Sequence, residues 1–204
     1  MSNPTIFIVD DDPAMRDSLS WLIETIGYPV ELFSSAQDFL DSYNVNSAGC
    51  LILDVRLPGM SGLQLQQKMN QENINLPIII ISGHGDVPMA VKAMQQGAQV
   101  FLEKPFRDQE LLDNIQEALE IDTKTRIQAA VSKEIEGCIE ALTQREKEVM
   151  ELMVKGNSSK EIAKECGISV KTIEIHRARV MEKMHADSLP ELVHMILNLQ
   201  KDTA

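Results

Sequence analysis

Four apolar, strand-like runs in the first half of the chain each end at a polar side chain that can take part in phosphoryl chemistry. The residues at or after the ends of these runs are Asp10-Asp11-Asp12, Asp54, Ser82 and Lys104. If the runs are parallel strands of one sheet, their carboxyl ends share one edge, where open α/β sheets hold their ligands. A carboxylate cluster, a further aspartate, a hydroxyl and an ammonium group would then lie together.

These residue types are suited to accepting a phosphoryl group on a carboxylate. Asp10, Asp11 and Asp12 would repel one another without a cation, and Mg²⁺ prefers a few carboxylates together with water and phosphate oxygens. Asp54 would attack the phosphorus atom and form an acyl phosphate. Ser82 can donate its hydroxyl to a phosphoryl oxygen, and Lys104 can add a positive charge. A solvated acidic loop is the competing interpretation, but the three acids directly follow a fully apolar run.

Strand and helix patterns alternate five times through this half of the chain. Helical spacing of apolar residues follows the first strand as far as Gly27. Further helices are predicted near 36–43, 63–70 and 88–96, and from Asp108 onward. Such alternation indicates parallel strands with helices on both faces. The predicted fold is α/β, a flavodoxin-like, doubly wound, five-stranded parallel sheet.

Length and charge indicate two domains with different tasks. The chain has 204 residues, and residues 1–122 carry 18 Asp and Glu against 6 Lys and Arg, whereas residues 123–204 carry 13 of each. The acidic half is poorly suited to binding nucleic acid, whereas the neutral half can present a local basic face. No apolar run has the length of a membrane span and no signal-peptide pattern begins the chain, so we expect a cytoplasmic protein. Three scattered cysteines argue against disulfides and against a zinc site.

The second half is predicted to be entirely helical. Thr143-Gln144-Arg145-Glu146 and Ser158-Ser159-Lys160-Glu161 are capping boxes that begin two helices. Gly167 provides a tight turn, Ser169 caps a third helix, and Ser188 begins a fourth. Two short capped helices joined by a glycine turn are typical of a helix-turn-helix, so an all-α, four-helix DNA-binding domain is expected.

Residues 4–120 resemble the receiver domain of two-component response regulators. The segments that carry this resemblance are Val9-Asp10-Asp11, Asp54 with Arg56 to Gly62, Ser82-Gly83-His84-Gly85, and Lys104-Pro105-Phe106. The resemblance implies that Asp54 accepts a phosphoryl group from the phosphohistidine of a histidine kinase. It also implies a Mg²⁺ or Mn²⁺ site formed by Asp10, Asp11 and the main-chain carbonyl of Arg56. The role of Asp12 at the metal stays open.

The same resemblance implies a switch between two states of the receiver. Ser82 and Phe101 occupy the positions of the family's switch pair, although Phe101 could instead be an ordinary core aromatic. Ser82 and Lys104 would stabilise the phosphoryl group. The surface that moves would comprise the helix from Pro88, the fifth strand and the helix from Asp108, which similar receivers use for dimerisation.

Residues 140–200 resemble the LuxR-type helix-turn-helix of the NarL/FixJ subfamily. The matching segments run from Leu142 to Val149, from Lys160 to Ala163 and from Ile168 to His176, with Gly156 and Lys183-Met184. The resemblance implies that the third helix enters the major groove of DNA, with basic residues on phosphates and others at base edges. The implied DNA-binding residues are Lys160, Lys171, Thr172, Glu174, Ile175, Arg177, Ala178, Arg179 and Lys183.

The side chains of Glu174 and Ala178 restrict which base contacts these two residues can make. Glu174 could accept a hydrogen bond from a cytosine amine, and Ala178 can make only apolar contacts. The alternative is that this charge pattern is a solvated helix face.

The predicted organisation is a receiver at 1–120, a linker expected to be helical at 121–138, and a LuxR-type domain at 139–204. We expect a transcription regulator rather than an enzyme, with a sensor histidine kinase, double-stranded promoter DNA and, on phosphorylation, a second copy of the chain as partners. RNA polymerase is a further candidate partner, and no membrane partner is expected. One alternative is a phosphoacceptor that acts through protein contacts instead of DNA. Another is a phosphatase or phosphotransferase that acts on a small substrate, but such enzymes place their acceptor aspartate in a D-x-D pair after the first strand, whereas Asp54 follows the third.

Overall fold

A computed structural model describes residues 3–83 and 87–202, with side chains described as far as Leu199. His84 and Gly85, which belong to one of the motifs above, lie outside the described residues. In chain order the elements of the first half are β1 (Thr5–Val9), α1 (Pro13–Glu24), β2 (Val30–Phe33), α2 (Ala36–Ser42), β3 (Gly49–Asp54), α3 (Gly62–Gln71), β4 (Ile78–Ser82), α4 (Val87–Gln95), β5 (Val100–Glu103) and α5 (Asp108–Glu140).

Within the described residues the strands form one five-stranded sheet in the order β2-β1-β3-β4-β5, and every pairing is parallel. The order reverses direction at β1, so helices cover both faces, as in doubly wound folds. This confirms the predicted fold class. The strand ends also match the prediction, because β3 ends at Asp54 and β4 ends at Ser82.

Alternation along the strands supplies two separate apolar layers. On one face Phe7, Leu51 and Ile80 pack with Phe39 of α2 and Leu65 of α3. On the other face the intervening strand residues pack against α1 and α5. The core residues of that second layer include Ile6, Ile8, Ile52, Ile79, Leu19, Ile23, Leu111 and Ile115. Because both faces are covered, the central strands β1, β3 and β4 are apolar along most of their length, whereas the edge strand β2 carries the exposed Glu31.

The second half is helical, as predicted. Its helices are α6 (Gln144–Val154), α7 (Ser159–Cys166), α8 (Val170–Lys183) and α9 (Leu189–Asp202). Both predicted capping boxes form, with Thr143 and Glu146 at the start of α6 and Ser158 and Glu161 at the start of α7. The four helices pack around one apolar core, which includes Val149, Met153, Ile162, Ile173, Val180, Met184 and Leu192.

The chain divides into two compact units, the first ending at Arg126 and the second beginning at the next residue. The predicted linker, 121–138, lies within α5. Asp122 is buried, accepts a hydrogen bond from the Gly49 N–H at 2.9 Å, and pairs with Arg126 Nε at 2.9 Å. Arg126 also donates to the main-chain oxygen of Ser47. The first turns of the predicted linker therefore pack with the first unit.

Across residues 3–83 and 87–202, no helix has both the length and the apolar character that crossing a membrane requires.

Candidate functional site

Three aspartates meet at the carboxyl edge of the sheet. Asp10 follows β1, and Asp54 ends the neighbouring strand β3. Carboxylate oxygens of Asp10, Asp11 and Asp54 lie within 4.8 Å of one another. Asp10 is fully buried, Asp54 is 7% exposed, and Asp11 is exposed to solvent. The cluster therefore concentrates negative charge at a site that solvent reaches through Asp11.

Lys104 neutralises part of this charge. Its Nζ lies 2.8 Å from Asp10 Oδ2 and 3.7 Å from Asp54 Oδ2. Burial raises the pKa of Asp54 above its ordinary value, and the negative charge of Asp10 raises it further. The positive charge of Lys104 and the main-chain amides of Arg56 and Val55 act in the opposite direction and lower the pKa. Burial and the neighbouring carboxylate thus make the ionised form of Asp54 costly until a further cation binds.

One oxygen of Asp54 is available for a cation. Asp54 Oδ1 is buried and has no hydrogen-bond partner, which is unusual for a buried carboxylate. A ligand atom of a hard divalent cation would have this character, and carboxylate oxygens are what Mg²⁺ and Mn²⁺ prefer. The donor set at this edge therefore fits a Mg²⁺-type ion.

Asp12 has a different task from the other two members of its trio. It is the N-cap of α1, and its Oδ1 accepts from the Ala14 N–H at 2.9 Å. Its own N–H donates to Asp10 Oδ1 at 2.9 Å, and Arg16 donates to the main-chain oxygen of Asp10 at 2.6 Å. The sequence left open whether Asp12 binds the metal. In the structure the Asp12 carboxylate caps α1, which makes it a less suitable metal ligand than Asp10 or Asp11.

The loop after β3 folds back on Asp54. Gly62 N–H donates to the main-chain oxygen of Val55 at 3.0 Å. A Cβ on Gly62 would lie 2.2 Å from the main-chain oxygen of Asp54, so only glycine fits here. Ser61 and Gln64 form a capping box that begins α3. Arg56 lies at the start of this loop, with its side chain exposed.

Ser82 and Phe101 lie on the neighbouring strands β4 and β5. Ser82 is fully buried and pairs in register with Glu103. Phe101 pairs with Ile80 and is partly buried against the apolar layer that α3 covers. The Lys104–Pro105 peptide bond that follows β5 is cis. The structure thus brings Asp10, Asp11, Asp54 and Lys104 together, with Ser82 on the strand beside Asp54.

In the second unit, α7, a glycine turn and α8 form the helix-turn-helix. Gly167 ends α7 with a φ of 67°, a backbone conformation that favours glycine. Ser169 caps α8 by accepting from the Thr172 N–H at 3.1 Å. Arg145 of α6 donates to the main-chain oxygen of Cys166 and so ties α6 to the end of α7.

The predicted DNA-binding residues divide by exposure. Those that are exposed on α7 or α8 are Lys160, Lys171, Thr172, Glu174, Ile175, Ala178 and Arg179. Arg177 is half-buried, and its Nη1 is a buried atom without a hydrogen-bond partner. His176 is half-buried as well. The exposed residues of α8 therefore present basic, acidic and apolar side chains together, and Lys160 adds a basic side chain on α7.

Lys183 has a partner that sequence reasoning missed. Its Nζ lies 2.7 Å from Oε2 of the buried Glu146 and donates to the main-chain oxygen of Ala141 at 3.1 Å. This ion pair and the cap at Thr143 lower the pKa of Glu146 to about 2. Nothing local in the sequence relates residues 146 and 183, although the balanced numbers of acidic and basic residues in this half could have suggested a buried ion pair. The Lys183 ammonium is thus engaged within its own domain.

The fold and the two sites define a receiver domain followed by a helix-turn-helix DNA-binding domain. Residues 6–116 match the family described as the response regulator receiver domain, and residues 140–196 match the bacterial regulatory proteins of the luxR family. The chain belongs to the response regulators of the NarL/FixJ type, and it is a phosphorylation-dependent DNA-binding transcriptional regulator of a two-component system. The alternative that it acts through protein contacts instead of DNA is not favoured.

Similar proteins agree with this assignment over nearly the whole chain. The transcriptional regulatory protein FixJ of Bradyrhizobium diazoefficiens is 46% identical over 192 residues, which cover 94% of each chain. The transcriptional regulatory protein TdiR of Thauera aromatica is 42% identical over 95% of this chain and 85% of its own. Among solved structures, the response regulator StyR has a TM-score of 0.85 at 40% identity, covering 96% of this chain and 98% of its own.

Proposed function

We propose that Asp54 accepts a phosphoryl group from the phosphohistidine of a sensor histidine kinase. An oxygen of the Asp54 carboxylate attacks phosphorus, the phosphorus–nitrogen bond breaks, and the imidazole leaves. The observation that carries this proposal is the buried, unpartnered Asp54 Oδ1 beside two further carboxylates and the Lys104 ammonium. Asp10 is too deeply enclosed by Lys104 and the Asp12 N–H to be the nucleophile.

The metal that supports transfer is proposed to be Mg²⁺ or Mn²⁺, held by Asp10, Asp11 and the main-chain carbonyl of Arg56. When bound, such an ion neutralises charge that develops on the transferring phosphoryl group. Asp10 and Asp11 would hold the ion beside Asp54, whose carboxylate would then carry less uncompensated negative charge. Asp12 is omitted from this set because its carboxylate caps α1.

Phosphorylation is proposed to act through Ser82, Phe101 and Lys104. The new phosphoryl oxygens are strong acceptors and bring extra negative charge. Lys104 pairs with them, and Ser82 turns its hydroxyl toward them from the adjacent strand. Phe101, which is partly buried against the core, turns into the space that Ser82 vacates when it moves toward the phosphoryl group. The receiver thus converts a local charge into a change at the surface formed by α4, β5 and the start of α5.

The surface that results is proposed to join two copies of the chain. Three apolar side chains at helical spacing are exposed on α4, namely Val87 at 76%, Val91 at 47% and Met94 at 47%. We call these three residues the α4 stripe. An apolar stripe on an otherwise solvated helix is suited to burial against another protein surface, and two DNA-binding domains brought together would bind paired half-sites.

For DNA contact we propose α8 as the helix in the major groove. Lys160, Lys171 and Arg179 would contact phosphates, and Glu174, Ile175 and Ala178 would face base edges. Thr172 and Arg177 are retained as neighbouring contacts. We leave Lys183 out of this set, because its ammonium is held by Glu146. RNA polymerase is proposed as a further partner at the promoter.

The direct test is covalent labelling with acetyl phosphate and Mg²⁺, followed by intact-mass measurement. Wild-type protein should gain one phosphoryl group, and Asp54→Asn should gain none, because the amide cannot attack. Asp17→Asn, which alters an exposed acid of α1, is the matched control and should label as wild type does. Stoichiometric labelling of Asp54→Asn would contradict the proposal.

A further inference from the structure

A fully buried glutamine lies between α3 and α4. Gln66 belongs to the buried face of α3 together with Leu65 and Met69, and its side chain has no solvent exposure. Its Nε2 donates to the main-chain oxygen of Ala93 in α4 at 3.0 Å. Its Oε1 is buried without a hydrogen-bond partner. An apolar side chain of similar length would fill this place without leaving a polar atom unsatisfied.

The hydrogen bond that Gln66 makes is not required by its acceptor. The main-chain oxygen of Ala93 also accepts from the Gln96 N–H at 3.2 Å and from the Ala98 N–H at 3.1 Å. This carbonyl at the end of α4 is therefore satisfied without Gln66. Because a buried amide oxygen without a partner is destabilising, Gln66 lowers the stability of the packing between α3 and α4 instead of raising it.

More amide groups occur one turn further along the same interface. Asn70 Nδ2 donates to the main-chain oxygen of Gln96 at 2.7 Å. The side-chain Oε1 of Gln96 is, like that of Gln66, buried without a hydrogen-bond partner. A second buried, unsatisfied oxygen thus belongs to the residue that directly follows α4, and the main chain of that residue is contacted by Asn70 of α3.

We propose that Gln66 is a positioning residue that keeps α4 able to shift. A helix that moves, or a water that the movement admits, can give the two amide oxygens the hydrogen bonds that they lack at rest. A modification changes an equilibrium only by the difference in free energy that it makes between two states. A less stable resting position therefore increases the population of the shifted state after phosphorylation. This proposal rests on the proposed movement of α4.

The test compares Gln66→Met with Gln67→Met in the full chain. Methionine keeps the side-chain length at Gln66 but removes the amide, and Gln67 is the exposed neighbour on the same helix. The amide hydrogens of α4 should exchange about fivefold more slowly in unphosphorylated Gln66→Met, as removal of one unsatisfied group implies. The phosphorylated dimer, measured by sedimentation after acetyl phosphate treatment, should weaken by about the same factor. Gln67→Met should match wild type in both.

Unchanged or faster exchange in α4 of Gln66→Met would overturn the proposal, and so would a phosphorylated dimer as tight as that of wild type. Failure of both Gln66→Met and Gln66→Leu to fold would also overturn it, because the amide would then be needed for packing. If wild-type protein is not labelled on Asp54, or is labelled but stays monomeric, the proposed function fails instead. The exchange measurement on unphosphorylated protein still decides the role of Gln66.

Discussion

Replacing Lys104 by methionine should tighten the binding of Mg²⁺ to the receiver. Lys104 Nζ lies 2.8 Å from Asp10 Oδ2 and 3.7 Å from Asp54 Oδ2, so it pairs with the same carboxylates that would bind a metal. A cation held by the same carboxylates would be repelled by this ammonium. Methionine keeps most of the side-chain length and removes only the charge.

The magnitude follows from these distances. Two unit charges about 4 Å apart interact by about 1 kcal/mol in water and by about 4 kcal/mol in a protein-like medium, and a divalent ion doubles the effect. The site is open to solvent through Asp11, so the lower figure applies. After partial screening by salt, we expect a gain of about 1.4 kcal/mol, or about tenfold in the dissociation constant.

Trp21 makes the assay simple. It is the only tryptophan of the chain, and it lines one surface hollow together with Lys104 and Pro105. Mg²⁺ can therefore be titrated by intrinsic fluorescence at a fixed pH and ionic strength. Lys92→Met, at an exposed lysine of α4, is the control and should leave the affinity unchanged. If Lys104→Met binds Mg²⁺ as wild type does, or more weakly, Lys104 does not compete with the metal.

Three further predictions concern stability and DNA binding. Lys183→Met should destabilise the second unit by about 2 kcal/mol at pH 7, measured by thermal unfolding, because it leaves the buried Glu146 carboxylate without its partner. Because the pKa of Glu146 is lowered to about 2, the difference in stability from wild type should shrink as pH falls below about 4.5. Equal stabilities at pH 7 would refute the ion pair. Lys171→Ala should weaken DNA binding and reduce the slope of log affinity against log salt concentration by about one. Lys133→Ala is the control and should leave the slope as in wild type; an unchanged slope for Lys171→Ala would remove Lys171 from the phosphate contacts. Asp54→Asn should stabilise the metal-free receiver by about 1 kcal/mol at neutral pH, because burial raises the Asp54 pKa. That gain should vanish at acid pH, where wild type is protonated too, and a less stable variant would contradict it.

The sheet and the phosphoryl site could be predicted because their signals are local. Each apolar run ends at the residue that carries chemistry, and parallel strands must align those ends at one edge. Asp10, Asp54 and Lys104 were therefore expected to meet, although 94 residues separate the first from the last. The capping boxes at Thr143 and Ser158 were visible for the same reason, since each is contained within four residues.

Pairings between distant segments could not be predicted in this way. Glu146 and Lys183 lie on different helices, and Asp122 reaches back to the Gly49 N–H across 73 residues. Gln64 and Gln67 on the same helix are exposed, so the burial of Gln66 follows only from how α3 packs on α4. These groups depend on tertiary packing, which no short pattern encodes.

The role of Asp12, which the sequence left open and the structure shows to be a helix cap, has a local explanation. Asp12 precedes Pro13, which begins α1, and a short acidic side chain at that position satisfies a free main-chain N–H. The Asp-Pro step could have suggested a cap, but the run of three acids suggested a metal more strongly.

The most direct test of the account is the DNA affinity of the full chain before and after acetyl phosphate treatment with Mg²⁺. The DNA is a duplex selected by the phosphorylated protein from random sequences. We predict that treatment raises the affinity of wild-type protein by at least about tenfold, since two coupled domains bind paired half-sites, and leaves Asp54→Asn unchanged. An equal rise for Asp54→Asn, or no rise for labelled wild-type protein, would contradict the claim that a phosphoryl group on Asp54 controls DNA binding.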